Sequence, residues 1–218
     1  MRDIMVFSPL RAGGSIISLI LLVVALFVCP TVHALDQPVE DAPGSLDVIM
    51  LIDNSTSMIG NDPDGLRVRA AKFLVDYLRA NAEAMGTNYW VGVANFGREI
   101  GDTVSLHLLQ DDTIRDRIHE ERLGQTDFHP PLQFARNELR RDFDSGKKMA
   151  VILFTDGRPQ LTGTPMTEDE LQSYFGDLVP LVNELQNRDV SLFVLGIGDA
   201  QKDRDNWMRL IPKEHYIL

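Results

Sequence analysis

The chain has 218 residues, 44% hydrophobic and 24% charged, with a net charge of −11 and a single cysteine. That balance suits one globular domain with a sizeable core. The acidity argues against nucleic acid or anionic membrane as partner, and one cysteine excludes a disulfide framework.

The N-terminus departs from the average composition. Arg2 and Arg11 form a basic lead, residues 16–28 are almost wholly apolar, and Val32, His33 and Ala34 offer a small-residue cleavage site before Leu35. This is the layout of a secretory signal peptide over residues 1–34, which predicts a secreted, periplasmic or cell-surface product. The alternative is an uncleaved membrane anchor through residues 16–28, although that run is shorter than the roughly 20 residues a spanning helix needs. Cys29 would leave with the leader, and its neighbours Val28 and Pro30 do not suit lipidation. Residues 35–44, rich in Pro and Asp without periodicity, read as a linker to a domain over 45–218.

Residues 48–52 are a continuous β-branched apolar run, as expected of a strand buried on both faces of a parallel sheet. A turn cluster at 61–65 precedes a helix that places Leu66, Ala70, Phe73, Leu74, Tyr77 and Leu78 on one face. A second strand follows at 88–96 and a turn at 97–102. Residues 103–109 alternate as an edge strand with one solvated face would, and 111–121 read as a short charged helix. A helix after the loop 124–127 turns Phe128, Leu132, Ala135, Leu139 and Phe143 inward. Residues 149–154 form another buried strand, and 158–167 a loop rich in Pro, Gly and Thr. The helical pattern of 168–188 is expected to split at Gly176 and Pro180. A strand at 190–195, a turn at 196–198, a short helix at 203–210 and a last strand at 215–218 complete the chain. Trp207 and Phe193 are assigned to the core.

Apolar strands alternating with amphipathic helices predict a doubly wound α/β fold: a mostly parallel sheet, one antiparallel edge strand, and helices on both faces. The sequence stops on a strand with no helix left to cover that edge, so the expectation is either a fragment lacking its C-terminal helix or a helix supplied by something else.

Polarity inverts directly after the first strand. Asp53, Ser55 and Ser57 stand at alternate positions where open α/β sheets bind ligands. One carboxylate and two hydroxyls suit a hard cation; alternatively, Ser55 or Ser57 caps the next helix. Thr126 and Asp156, the latter in a Thr-Asp-Gly turn after an apolar strand, add oxygen ligands from two further loops. In this order the motif resembles that of the von Willebrand factor type A (vWA) domain, the integrin I-domain-like fold, over about residues 46–218. The turn Gly196-Ile197-Gly198 is similar to that family as well.

The resemblance implies a metal-ion-dependent adhesion site (MIDAS) of Asp53, Ser55, Ser57, Thr126 and Asp156, holding Mg²⁺, or Mn²⁺ or Ca²⁺. Ser55 and Ser57 would bind through hydroxyls, with Thr126 direct or through water. Asp53 and Asp156 would mostly accept from metal-bound waters. An acidic residue of a protein partner would complete the coordination, making the domain a non-enzymatic adhesion or assembly module. Asp62 and Asp64 are read as helix caps, Asp127 as a brace for its own loop, and His129 as solvated. The loop 159–166 is a candidate partner-facing segment. Two other readings compete. A haloacid dehalogenase-type phosphohydrolase would want an acid where Ser55 stands, and a serine hydrolase would want a Gly-x-Ser-x-Gly elbow that is absent. The domain could also be the regulatory part of a larger protein.

Overall fold

The computed structural model describes residues 45–110 and 112–218. The expected signal peptide, the anchor alternative at 16–28 and the linker at 35–44 lie outside the described residues. Among those described, no helix is long and apolar enough to cross a membrane.

Six strands form one sheet in the order β3-β2-β1-β4-β5-β6. They are β1 (Leu46–Asp53), β2 (Tyr89–Phe96), β3 (Ile100–Leu108), β4 (Lys148–Thr155), β5 (Val190–Gly196) and β6 (Tyr216–Ile217). Every pairing is parallel except β2 with β3. β1 lies between β2 and β4 and is buried along its whole length, as its unbroken apolar run requires. Its side chains alternate between faces. Ile49 and Leu51 pack in a core with Phe128, with Leu132, Ala135 and Leu139 of the helix His129–Leu139, and with Trp207. Val48, Met50 and Ile52 are buried on the opposite side.

The helices are α1 (Met58–Asn61), α2 (Leu66–Met85), α3 (Thr113–Arg117), α4 (His129–Leu139), α5 (Glu168–Gln186) and α6 (Arg204–Trp207). α2 packs against β1 and β2, α4 against β1, β2 and β3, and α5 against β5. Trp207 is fully buried, with its ring 4.9 Å from Phe128 and 5.3 Å from Phe175, and it donates to the Gly157 carbonyl at 3.1 Å. Phe193 is buried as expected.

Several boundaries differ from the sequence reading, each for a physical reason. β3 begins inside the expected turn 97–102, because Gly97 donates to the Glu99 carbonyl and a tight hairpin pairs Phe96 with Ile100. The helix expected over 111–121 is confined to Thr113–Arg117. Beyond it, the Asn95 amide takes the Arg117 carbonyl and the Asn54 amide takes the His119 carbonyl, so these groups are withdrawn from helical pairing. Phe73 is exposed; the buried stripe of α2 instead runs through Arg67, Ala70, Ala71, Leu74, Val75 and Leu78. The helix expected at 203–210 is only four residues long and follows a 3₁₀ segment, Gly198–Asp203. The last strand is limited to Tyr216 and Ile217.

α5 is the clearest departure, because it continues unbroken through Pro180. Proline removes one N–H and crowds the carbonyl four residues earlier. Here that residue is Gly176, and both positions are exposed, so water can solvate the freed carbonyl and no side chain hinders the adjustment. Thr167 and Glu170 form a reciprocal capping box at the start of α5. Replacing Pro180 by Ala restores a backbone hydrogen bond at a position that buries nothing. We expect Pro180→Ala to raise the free energy of unfolding in urea by about 1–3 kcal/mol.

Candidate metal centre

The site is built at the carboxyl ends of β1 and β4, which are adjacent in the sheet. Asp53 is fully buried at the end of β1. Its Oδ1 accepts the Ser55 N–H at 2.9 Å and its Oδ2 accepts the Thr155 hydroxyl at 2.6 Å. The turn this enforces brings the Ser55 and Ser57 hydroxyls within 3.0 Å of each other. Ser57 heads α1, yet its side chain makes no capping bond. The capping alternative for these serines is therefore not what the fold uses. The expected capping role belongs to Asp62, which accepts the backbone N–H groups of Leu66 and Arg67 at the start of α2, whereas Asp64 is exposed.

Asp156 follows β4 and is 4% exposed. Its Oδ2 accepts from the Asn61 side chain at 2.9 Å, while its Oδ1 is buried without a hydrogen-bond partner. Asn61 can stand there because Gly198 lies against it with a φ of 61°; a Cβ at Gly198 would collide with the Asn61 backbone at 2.6 Å. This gives the glycine turn after β5 a role in the site.

Thr126 is 2% exposed and sits on a loop bonded to both sides of the centre. Its N–H and carbonyl pair with those of Gln160 at 3.0 and 2.9 Å, just beyond Asp156. Two residues earlier, the Gly124 carbonyl accepts from the Thr56 N–H and hydroxyl. Asp127 braces this loop as expected, accepting from His129 N–H at 3.0 Å and from the Tyr174 hydroxyl at 2.8 Å. The same phenol accepts the Phe128 N–H, and burial raises its pKa so that it remains a donor. His129 packs edge-on against Tyr174, with its Nδ1 3.4 Å from Asp127 Oδ1, and is half-buried rather than solvated. An open cleft of about 260 Å³ leads to Ser57 and Asp156 between Asn61, Arg158, Gln160 and Lys202. Pro159, Gln160 and Pro165 of the candidate partner-facing loop line it.

Asn54 and Arg67 carry structural roles that the motif does not reveal. Arg67 is a buried cation on the apolar stripe of α2. It donates to Asp62 at 2.7 Å and to Asn54 Oδ1 at 2.9 Å. Asn54 passes the restraint on to Asn95 and to the His119 carbonyl. A charged residue interrupting an apolar helical face was the sequence signal available for this network.

The electrostatics follow from burial. Asp53 is held at a pKa of about 7, chiefly by desolvation and secondly by the nearby Asp156 carboxylate, with the hydrogen bonds from Ser55 and Thr155 opposing. The carboxylates of Asp53 and Asp156, the latter with one unpartnered oxygen, and the hydroxyls of Ser55, Ser57 and Thr126 are an oxygen-only donor set of the kind that fits a hard divalent cation. Without an ion, ionising Asp53 disfavours the native state. Its unfolded pKa of 3.8 lies below its folded value, so the native state holds more protons across that interval and stability falls as pH rises. In chelator, unfolding experiments should show stability declining from about pH 4 to pH 7. Asp47, raised to about 6 by burial at the other end of β1, adds a decline of the same sign. Asp53→Asn should remove the Asp53 part and leave the Asp47 part.

The comparisons bear on fold and family. The von Willebrand factor type A domain profile matches residues 47–217. No curated protein matches the sequence. Among solved structures, the pilus adhesin SpaC from Lactobacillus rhamnosus GG superposes with a TM-score of 0.62 at 15% identity, over 81% of this chain and 29% of that one. The type V pili tip protein Mfa5 from Porphyromonas gingivalis gives 0.63 at 12% identity, over 80% and 46%. Proximal thread matrix protein 1 from the mussel byssus, with a zinc-occupied MIDAS motif, gives 0.54 at 18% identity, over 82% and 42%. The chain thus spans less than half the length of each of these proteins, and identities this low speak to the fold alone. With the profile matching residues 47–217 of the 218, the chain belongs to the von Willebrand factor type A domain family.

Proposed function

We propose that this domain is an exported, non-enzymatic binding module that engages a protein partner through a divalent cation held by Asp53, Ser55, Ser57, Thr126 and Asp156. The observation that carries the reading is the buried, unpartnered Oδ1 of Asp156, a residue that shares its cleft with Ser57, whose hydroxyl is paired with that of Ser55. A buried acceptor without a donor is costly unless an ion or its water completes it. The Ser55 and Ser57 hydroxyls would be the direct ligands, with Thr126 direct or through water. Asp53 and Asp156 would hold metal-bound waters. Mg²⁺ is the preferred ion for such a set, with Mn²⁺ or Ca²⁺ as substitutes. When bound, the ion supplies a Lewis-acidic position for a carboxylate oxygen of the partner, at the mouth of the cleft lined by Ser57 and Asp156.

The pilus adhesin, the pilus tip protein and the byssal matrix protein named above are consistent with a role in adhesion or assembly, with this domain as part of a larger architecture. The predicted leader at 1–34 would deliver it outside the cytoplasm, either released or retained through residues 16–28. The phosphohydrolase alternative is disfavoured because both Asp53 oxygens are engaged within a fully buried carboxylate. A nucleophile there would have to abandon those bonds to reach a substrate.

The test is thermal unfolding of chelated protein with and without Mg²⁺, in wild type, Asp53→Asn and Ser57→Ala. At Mg²⁺ a hundredfold above Kd, wild type should gain about 2.7 kcal/mol by linkage. Both variants should lose that gain. Asp53→Asn, relieved of a buried charge, should be no less stable than wild type in chelator. Equal Mg²⁺ shifts in all three proteins would sink the adhesion-site reading. Binding to an immobilised acidic peptide should follow the same pattern and vanish in chelator.

A further inference from the structure

A second group of potential ligands lies apart from the centre described above. Asp102 stands on β3, and His119 and Glu121 on the segment that follows α3. One ligand atom from each lies within 4.8 Å of the other two. His119 Nε2 is 3.4 Å from Glu121 Oε1 and 3.8 Å from Asp102 Oδ2. Ligands bound to one zinc-sized ion at roughly 2.1 Å stand about 3.4 Å apart along a tetrahedral edge. The His–Glu separation therefore already matches that edge, with Glu121 Oε1 also accepting the Asp102 N–H at 3.2 Å, and the His–Asp pair needs a small approach.

The berth is built from beneath. The Asn95 amide donates to the Asp102 carbonyl at 3.2 Å, and the Asn54 amide to the His119 carbonyl at 3.1 Å. Asn54 and Asn95 are both fully buried and bonded to each other, so the backbones carrying two of the ligands are fixed by the protein interior. Gly101 provides the room for the third: a Cβ at that position would collide with the Glu121 carboxylate. The side chains themselves are partly exposed, leaving a path for an ion and for water as a further ligand. Arg117 contacts Asp102 Oδ2 at 3.1 Å, but as a solvent-exposed pair it is held weakly and can swing aside.

We propose that Asp102, His119 and Glu121 form a second cation site, separate from the Asp53 centre, for a zinc-type divalent ion. The donor chemistry distinguishes the two. One imidazole with two carboxylates favours Zn²⁺ or Co²⁺, whereas the oxygen-only set around Asp53 favours Mg²⁺. An ion here ties the segment 119–121 to the start of β3. That segment continues into Leu123, which donates to the Asn54 carbonyl, and Gly124, which accepts from Thr56. The second ion thus braces, from behind, the loop that carries Thr126.

The experiment uses chelator-stripped full chain: wild type, His119→Ala, Glu121→Gln and Asp53→Asn, each checked for folding by circular dichroism. Zinc stoichiometry is read by equilibrium dialysis, and the ligand set by the visible d–d absorption of Co²⁺, which is intense for a tetrahedral nitrogen-ligated ion and weak for an octahedral all-oxygen one. His119→Ala and Glu121→Gln should each lose one zinc equivalent together with the intense Co²⁺ band. Asp53→Asn should retain that band whether or not the Asp53 centre binds metal, which keeps the two sites distinguishable. Unchanged stoichiometry and spectrum in His119→Ala overturns the site, as does loss of the band in Asp53→Asn. Loss in His119→Ala but not in Glu121→Gln overturns the three-ligand assignment.

Discussion

The structure depends on a constraint at the end of β1. A strand buried on both faces terminates in two polar residues, Asp53 and Asn54, and both are fully buried. Buried polar groups must be satisfied from within the protein, so the surrounding elements are arranged to meet them. Asp53 draws in the Ser55 N–H and the Thr155 hydroxyl, which links β1 to β4. Asn54 uses its backbone and its side chain alike. Its N–H donates to the Phe96 carbonyl, its carbonyl accepts from Leu123, its amide donates to Asn95 and His119, and its Oδ1 accepts from Arg67. β2, the segment after α3, and α2 are thereby referred to one residue.

That arrangement has a consequence for charge. Satisfying the carboxylate of Asp53 with hydrogen bonds does not offset its desolvation beside Asp156, so its pKa stays raised. Two carboxylates, Asp53 and Asp156, are thus buried near each other at the carboxyl ends of β1 and β4. β1 bears a second buried acid at its other end, but the resemblance stops there. Asp47 lies 3.6 Å from the Lys147 ammonium, which is also bonded to Asp142 and stacks over Trp90 at 5.3 Å. The Asp47 end is supplied with a cation by the chain itself. At the Asp53 end the buried cation Arg67 is committed to Asp62 and Asn54, and Arg158 and Lys202 line the cleft. The two ends of one strand thus differ: Asp47 has an ammonium 3.6 Å away, whereas Asp53 has hydrogen bonds from Ser55 and Thr155 and a second carboxylate nearby.

Much of this was legible in the sequence. The short, β-branched apolar run before Asp53 determined a strand buried on both faces, because an interior parallel strand hides adjacent apolar side chains and the run is too short for a buried helix. The alternation of such runs with amphipathic segments determined the fold class. The positions of Asp53, Ser55, Ser57, Thr126 and Asp156 at loops after predicted elements were enough to nominate a site, since residue type and chain position carry that information without coordinates. What the tertiary structure decided was which polar groups meet. Asn61, Thr155 and Gly198 are distant in sequence from the residues they serve, and only the folded sheet brings them together. The shortened helix α3 and the unbroken α5 were also beyond local reading. In the first, the buried asparagines Asn54, just after β1, and Asn95, on β2, compete for the backbone carbonyls. In the second, exposure of Gly176 and Pro180 lets water satisfy what proline disrupts. Periodicity and composition report how each segment partitions between water and core, whereas hydrogen-bond partnership depends on long-range contacts that a local pattern does not encode.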